Sequence, residues 1–182
     1  MRHNIKLGII YGSAREGRFC DTVAGWLIED IAQRGGFDLL TIDPAVDNSP
    51  TPDLRKRVKE ADAFIVVTPE YNHSFTGALK TLIDSFHAEW QAKPVGFVSY
   101  GGISGGLRAV EQLRGVFAEL HAVGIRDSVS FANVWGHFDE NGTLRDSVLA
   151  EQALGTMLAR LSWWASALRT ARVAIPYEEA TA

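Results

Sequence analysis

The chain of 182 residues predicts an α/β fold, a doubly wound sandwich on a five-stranded parallel sheet, and three observations carry that reading. Short apolar runs alternate along the chain with stretches whose apolar residues recur at helical spacing. The runs are short, and amphipathic helices between them would cover both faces of the sheet. Helical stretches also separate consecutive runs, which suits the crossovers that parallel pairing demands.

The first apolar run is Ile5 to Tyr11, and after a Gly12 to Arg18 loop a stripe of Phe19, Val23, Leu27 and Ile31 follows, flanked by Trp26. Gly35 and Gly36 stop that helix. Asp38 to Ile42 reads as the second strand; a connection with Pro44, Pro50 and Pro52 then leads to a charged helix from Asp53 to about Glu60. Ala63 to Thr68 is the third strand, ended by Pro69, and Leu79, Leu82, Ile83 and Phe86 mark one face of the next helix. Val95 to Tyr100 is the fourth strand. A loop containing Gly101, Gly102, Gly105 and Gly106 leads into a helix with the stripe Leu107, Val110, Arg114, Phe117 and His121. Ile125 to Phe131 is the fifth strand. After an Asn141-Gly142 turn, the last helix carries Leu154, Met157, Leu158, Leu161, Ala165 and Leu168 on one side, and the tail from Ala174 is expected to be loose. Nothing along the chain marks a linker or repeat, so residues 1–182 are read as one domain.

Composition narrows the function. Hydrophobic residues make up 46% and charged residues 22%, which excludes a disordered or collagen-like chain. A net charge of -4 argues against binding nucleic acid by broad neutralisation of phosphates. The single cysteine, Cys20, cannot form an internal disulfide and offers little to a structural zinc site, so no metal is expected and a cytoplasmic setting suits the chain. No apolar run reaches the roughly 20 residues of a membrane span, and the start shows no signal-peptide pattern. A soluble, unprocessed protein is the expectation.

In doubly wound sheets ligands sit beyond the carboxyl ends of the strands, near the point where strand order reverses. Three loops occupy that end. Gly12-Ser13-Ala14-Arg15-Glu16-Gly17-Arg18 runs from a strand into a helix, where backbone N–H groups, a hydroxyl and two guanidinium groups would suit one phosphate. It is a near miss to the Walker A pattern, with Arg18 and Phe19 where Lys and Ser/Thr would stand, and the dinucleotide fingerprint G-x-G-x-x-G is absent. Thr68-Pro69-Glu70-Tyr71-Asn72-His73-Ser74 places Tyr71 where it could lie against a flat ring. Ser99 to Gly106 lets backbone approach a ligand closely, because glycine has no side chain and accepts positive φ. This last loop also satisfies G-x-S-x-G around Ser104, with Asp127 and His137 later in the chain, so an acyl hydrolase is a rival reading. Cys20, at the start of the first helix, invites a redox reading through a dipole-lowered thiol pKa, against a plain role as a small residue under the phosphate.

Together these loops resemble the NADPH-dependent FMN reductase family of flavodoxin-like quinone, azo-dye and metal-ion reductases. The likeness rests on Gly12-Ser13-x-Arg15-x-Gly17-Arg18, on Pro69-Glu70-Tyr71-Asn72 followed by Leu79-Lys80 and Asp84, and on Tyr100-Gly101-Gly102 with Gly105-Gly106, Arg108-Ala109 and Leu113-Arg114. It spans about residues 5 to 131. Where many relatives carry serine and asparagine this chain has Arg18 and Cys20, and Asp84-Ser85 replaces a frequent Asp-Trp.

The resemblance implies FMN held by Ser13, Arg15, Arg18, Phe19 and Cys20 at the phosphate, by Pro69, Glu70, Tyr71 and Asn72 along the isoalloxazine, and by Tyr100, Gly101, Gly102 and Gly105 over its pyrimidine side. It implies an NAD(P)H oxidoreductase that passes electrons to a small acceptor such as a quinone, an azo compound or free flavin, with NADPH or NADH as co-substrate. No side-chain nucleophile is expected, because the flavin carries the chemistry. A flavodoxin-like electron carrier without reductase turnover is the alternative. The partner-chain wall common in the family, together with Trp90, Trp135, Phe138 and Trp163 lying off the apolar stripes, predicts a homodimer or homotetramer. Trp135 and Phe138 could instead fold over their own pocket as a lid.

Overall fold

A computed structural model describes residues 4–181. The strands are β1 (Ile5–Tyr11), β2 (Phe37–Ile42), β3 (Ala63–Pro69), β4 (Pro94–Gly101) and β5 (Val123–Ala132). Between and after them lie α1 (Cys20–Arg34), α2 (Pro52–Glu60), α3 (Gly77–Asp84), α4 (Leu107–Glu119) and α5 (Val148–Ala174). All pairings are parallel and the sheet order is β2-β1-β3-β4-β5. The order reverses between β1 and β3, which puts the loops after these strands at the switch point. The expected five-stranded doubly wound sandwich is therefore the fold.

Two apolar cores flank the sheet. One packs Leu7, Ile9, Ile65 and Val98 against Val23, Leu27 and Ile31 of α1 and Leu154, Met157, Leu158 and Leu161 of α5. The other packs Ile10, Phe64, Val66 and Phe97 against α2, α3 and α4. All seven residues of β3 are buried, the pattern of a central strand covered on both faces.

Local chemistry starts the helices that frame the site. Thr51 accepts a bond from Leu54 N at 3.1 Å, and with Pro52 at the first helical position it begins α2. Thr76 caps α3 in the same way through Leu79 N, and its hydroxyl donates to Gly12 O at 2.6 Å, tying the start of α3 to the loop after β1.

Four sequence expectations change. The buried face of α4 is Ala109, Val110, Leu113 and Phe117, whereas Leu107 and His121 are exposed and Arg114 lends its guanidinium to Ile125 O and Arg126 O on the edge strand β5. Trp90 is fully buried: its Nε1 donates to Ile83 O and its ring packs edge-on against Phe64 and Phe117. Phe138 is buried too, against Phe19 and Phe131. The tail after α5 forms a short 3-10 turn over Tyr177–Thr181, and the Tyr177 hydroxyl lies 2.9 Å from His121 Nδ1.

At the opposite end of the sheet Lys93 is buried and donates to Val58 O and Lys59 O, the free carbonyls at the end of α2. Burial lowers its pKa to about 7. A neutral amine carries two N–H donors, one for each of these carbonyls. Among the described residues no helix is long and apolar enough to cross a membrane.

Candidate active site

The loop after β1 is shaped by Gly12. Its N–H donates to Val67 O at 2.7 Å, and a Cβ there would sit 2.6 Å from that same oxygen, so no side chain fits. Ser13 follows, buried, with its hydroxyl accepting from Arg15 N at 3.3 Å. The side chain of Arg15 is exposed on the cleft and has no ion pair among the described residues.

Arg18 behaves differently from the phosphate ligand the sequence suggested. Its guanidinium donates to both oxygens of Asp43, at 2.6 and 2.5 Å, to Asp21 Oδ1 at 2.9 Å and to Ser13 O, and it lies over the Tyr11 ring. The Asp43 bond leads the causes that raise its pKa. Its donors are already committed to protein acceptors, so Arg18 braces the loop while Arg15 carries the free positive charge.

Phe19 and Cys20 begin α1. Phe19 packs against Tyr100 and Phe138 and reaches the cleft. Cys20 is fully buried, its Sγ donating weakly to Val67 O at 3.5 Å, and burial pushes the thiol pKa up to about 11. The helix dipole does not win here. The side chain lies in the core, and its desolvation there keeps the thiol protonated, opposite to the dipole-lowered pKa that a redox reading needs.

Pro69 ends β3 within the sheet, and Glu70 is held at once. Its carboxylate accepts from Ser104 Oγ at 2.7 Å, from Arg108 N at 3.2 Å and from Arg108 Nη1 at 2.6 Å. Desolvation alone would raise the Glu70 pKa, but these bonds outweigh it and hold the carboxyl below the usual range. Tyr71 and Ser74 then exchange backbone hydrogen bonds across Asn72 and His73, whose φ values are +50° and +71°. This is a two-residue turn of type I′, a geometry that favours Asn-Gly. His73 occupies the position where glycine would cost least.

The loop after β4 is pinned from behind. Gly105 O accepts from Ser99 Oγ at 2.8 Å and Ser130 Oγ at 2.9 Å, and Asn133 N donates to Gly102 O at 2.8 Å. Gly105 and Gly106 have φ of +60° and +82°, and a Cβ on Gly106 would meet the Tyr100 backbone at 2.9 Å. Gly102, by contrast, faces open space.

These loops enclose a cleft of about 380 Å³. Arg15, Arg18 and Phe19 line it from the first loop, Pro69, Glu70 and Tyr71 from the second, and Tyr100, Gly101 and Gly102 from the third. Ser13, Cys20, Asn72 and Gly105 do not line it: Ser13 and Cys20 are buried, Asn72 shapes the turn, and Gly105 forms the back of its loop. The fourth wall is Val134 with Trp135, on a 3-10 turn after β5, and Trp135 is 66% exposed. Of the two, Trp135 is the residue that the sequence offers as a lid over its own pocket, whereas Val134 carries no motif that would mark it. A wider groove of about 630 Å³ lies among the Lys6–Glu60 and Arg169–Asp62 pairs, whose charges already satisfy one another.

The hydrolase reading fails on geometry. Ser104 donates to Glu70, His137 Nε2 sits 3.0 Å from Ala132 O, and Asp127 pairs with Arg160 at 2.6 Å. No serine–histidine–aspartate relay joins them.

Comparison with known proteins shows what the chain is similar to. Residues 5–136 match the family model for NADPH-dependent FMN reductase. The chain is 33% identical over 180 residues to an NAD(P)H:quinone oxidoreductase of Solanum tuberosum, covering 85% of this chain and 90% of that protein. It is 32% identical over 120 residues to an NAD(P)H-dependent FMN reductase of Schizosaccharomyces pombe, covering 56% of this chain and 60% of the relative. FerB, a flavoenzyme NAD(P)H:(acceptor) oxidoreductase from Paracoccus denitrificans, superposes with a TM-score of 0.68 at 20% identity, over 88% of this chain and 97% of its own. At that identity the likeness is one of fold.

Proposed function

The chain belongs to the NADPH-dependent FMN reductase family, and from that membership we propose that it is an FMN-dependent NAD(P)H oxidoreductase serving a small acceptor such as a quinone, an azo compound or free flavin. The observation that carries the reading is the donor set of the cleft. Arg15, which has no ion pair among the described residues, stands at one wall of a cavity that Phe19, Tyr71, Tyr100 and Trp135 and the backbone of Gly101 and Gly102 also line, while the charged residues Arg18 and Glu70 beside it are held by Asp43 and by Arg108. A cation beside aromatic and glycine walls fits a planar ring bearing one phosphate, as FMN is.

Arg15 and the N–H groups at the start of α1 would hold the phosphate. Pro69 and Tyr71 would lie along the ring, and the Tyr100 to Gly102 backbone would follow its polar edge. When bound, FMN supplies hydride acceptance from NADPH or NADH and electron delivery to the acceptor. The protein's share is placement. Glu70 and Ser104 fasten two walls to each other, and Arg18 holds the first loop in position.

Trp135 and Trp163, 66% and 65% exposed, support a homodimer or homotetramer in which another copy closes the open side. We place the protein in the cytoplasm, as one FMN-binding domain. The test is direct. Titration with FMN should quench its fluorescence at a saturable site, extraction should return FMN in preference to FAD, and the loaded protein should oxidise NAD(P)H when a quinone is added. Absence of saturable FMN binding would remove the reading. Binding without NAD(P)H oxidation would leave the electron-carrier alternative.

A further inference from the structure

Helix α4 grips the loop after β3 at two points one helical turn apart. Arg108 donates to Glu70 through both its backbone N–H and its guanidinium. Four residues on, Gln112 accepts from Ser74 Oγ at 2.6 Å through Oε1 and donates through Nε2 to His73 O at 2.7 Å. Residues at i and i+4 share a helix face, so the two grips act as one clamp.

What the clamp holds is a turn that its own residues do not favour. Asn72 and His73 both stand at positive φ, and neither is glycine. Without external bonds an Asn-His pair has little reason to adopt this shape in preference to more open ones. The turn fixes the direction in which the chain leaves Tyr71, one wall of the cleft.

We propose that Gln112 is a positioning residue for the flavin site: it holds the Asn72–His73 turn in its left-handed form and so sets Tyr71 against the ring. Gln112 is not among the residues that line the cleft, and it acts through the turn. The proposal rests on the FMN reading above.

The experiment is a fluorescence titration of apo-protein with FMN, together with visible circular dichroism of the bound flavin. Wild type is measured first; if it shows no saturable binding, the FMN reading itself fails and the clamp is not at issue. With wild type binding, Gln112→Leu is expected to raise the FMN Kd roughly tenfold, the worth of one or two hydrogen bonds, and to change the dichroism. His73→Val, which places a β-branched residue at positive φ, attacks the same turn from the other side and should produce the same two changes.

The double variant Gln112→Leu/His73→Gly creates the Asn-Gly pair that forms a type I′ turn unaided, and should return the Kd to within about threefold of wild type. A purely structural loss elsewhere would not be repaired by a glycine in the turn. The proposal is overturned if Gln112→Leu or His73→Val binds FMN as wild type does, or if the double variant stays as weak as Gln112→Leu.

Discussion

Arg18 and Asp43 form a two-pronged ion pair, with Nη1 2.6 Å from Oδ1 and Nη2 2.5 Å from Oδ2, joining the loop after β1 to the segment after β2. Both side chains are largely withdrawn from solvent, at 9% and 14% exposure. Such a pair orders a loop, because a planar guanidinium matches a carboxylate in one plane. It also divides labour between the two arginines of that loop, one fastened and one free.

The division can be measured. Asp43→Ala should lower folding stability by about 1.5 to 3 kcal/mol, the worth of a charge-assisted bond, by denaturant titration of the apo-protein. Arg15→Ala should leave stability within about 0.5 kcal/mol, as for an exposed loop side chain. Its FMN Kd should nonetheless rise ten- to more than a hundredfold. Unchanged FMN affinity in Arg15→Ala would mean the phosphate lies elsewhere.

Cys20 gives a prediction in pH. Desolvation raises its pKa from 9.0 to about 11, so between these values the unfolded chain releases a proton that the folded one keeps. Its contribution is complete below pH 9 and is lost as pH rises toward 11. Cys20→Ala should therefore remove part of the fall in stability over that window. The native thiol should also resist iodoacetamide at pH 7.5 until the chain is unfolded, and rapid alkylation of the folded protein would contradict its burial.

Lys93 slopes the other way. Its folded pKa of about 7 lies below the ordinary 10.5, so the unfolded chain holds more protons between these values and stability climbs with pH. Between pH 7 and 9, below the thiol's window, wild type should gain about 2 kcal/mol. Lys93→Met should show a flatter profile, while losing the two bonds that close the end of α2. Equal slopes in the two proteins would show that the amine is charged in the fold.

How far the molecule could be read from its residues depended on what kind of signal each part carried. β3 was legible because an unbroken apolar run has few uses besides a covered strand, and Gly12 and Gly102 sat in the loops that such a fold exposes. The buried face of α4 is less legible, because periodicity alone does not say on which side of Val110 it turns and so admits Leu107, Arg114 and His121 as readily as Ala109 and Leu113. Trp90 and Phe138 look like surface aromatics in one dimension; their burial depends on Phe117 and Phe19, which arrive from distant segments. The Arg18–Asp43 pair is hidden for the same reason: the two residues lie 25 apart in the chain. Local motifs mark the loops that line the cleft, while long-range pairing decides which of their side chains are already engaged within the protein.

The last prediction concerns assembly. Once Trp90 and Phe138 are in the core, Trp135 and Trp163 are the two aromatic side chains left most open, at 66% and 65%. They differ in place. Trp135 stands at the mouth of the cleft on a turn tied to Gly102, whereas Trp163 lies on α5, stacked edge-on with Trp164. An indole left in water forgoes about 1.5 to 3 kcal/mol of burial, and covering such rings with a second copy recovers it. Light scattering of the FMN-loaded protein at micromolar concentration should give a multiple of 19.9 kDa, and a mass of one chain would refute the assembly. If it assembles, Trp163→Ala tests the α5 face and Trp135→Ala the cleft mouth. Loss of association in Trp135→Ala places the subunit boundary at the open side of the cleft; loss of nicotinamide turnover with association intact makes Trp135 a lid over its own pocket.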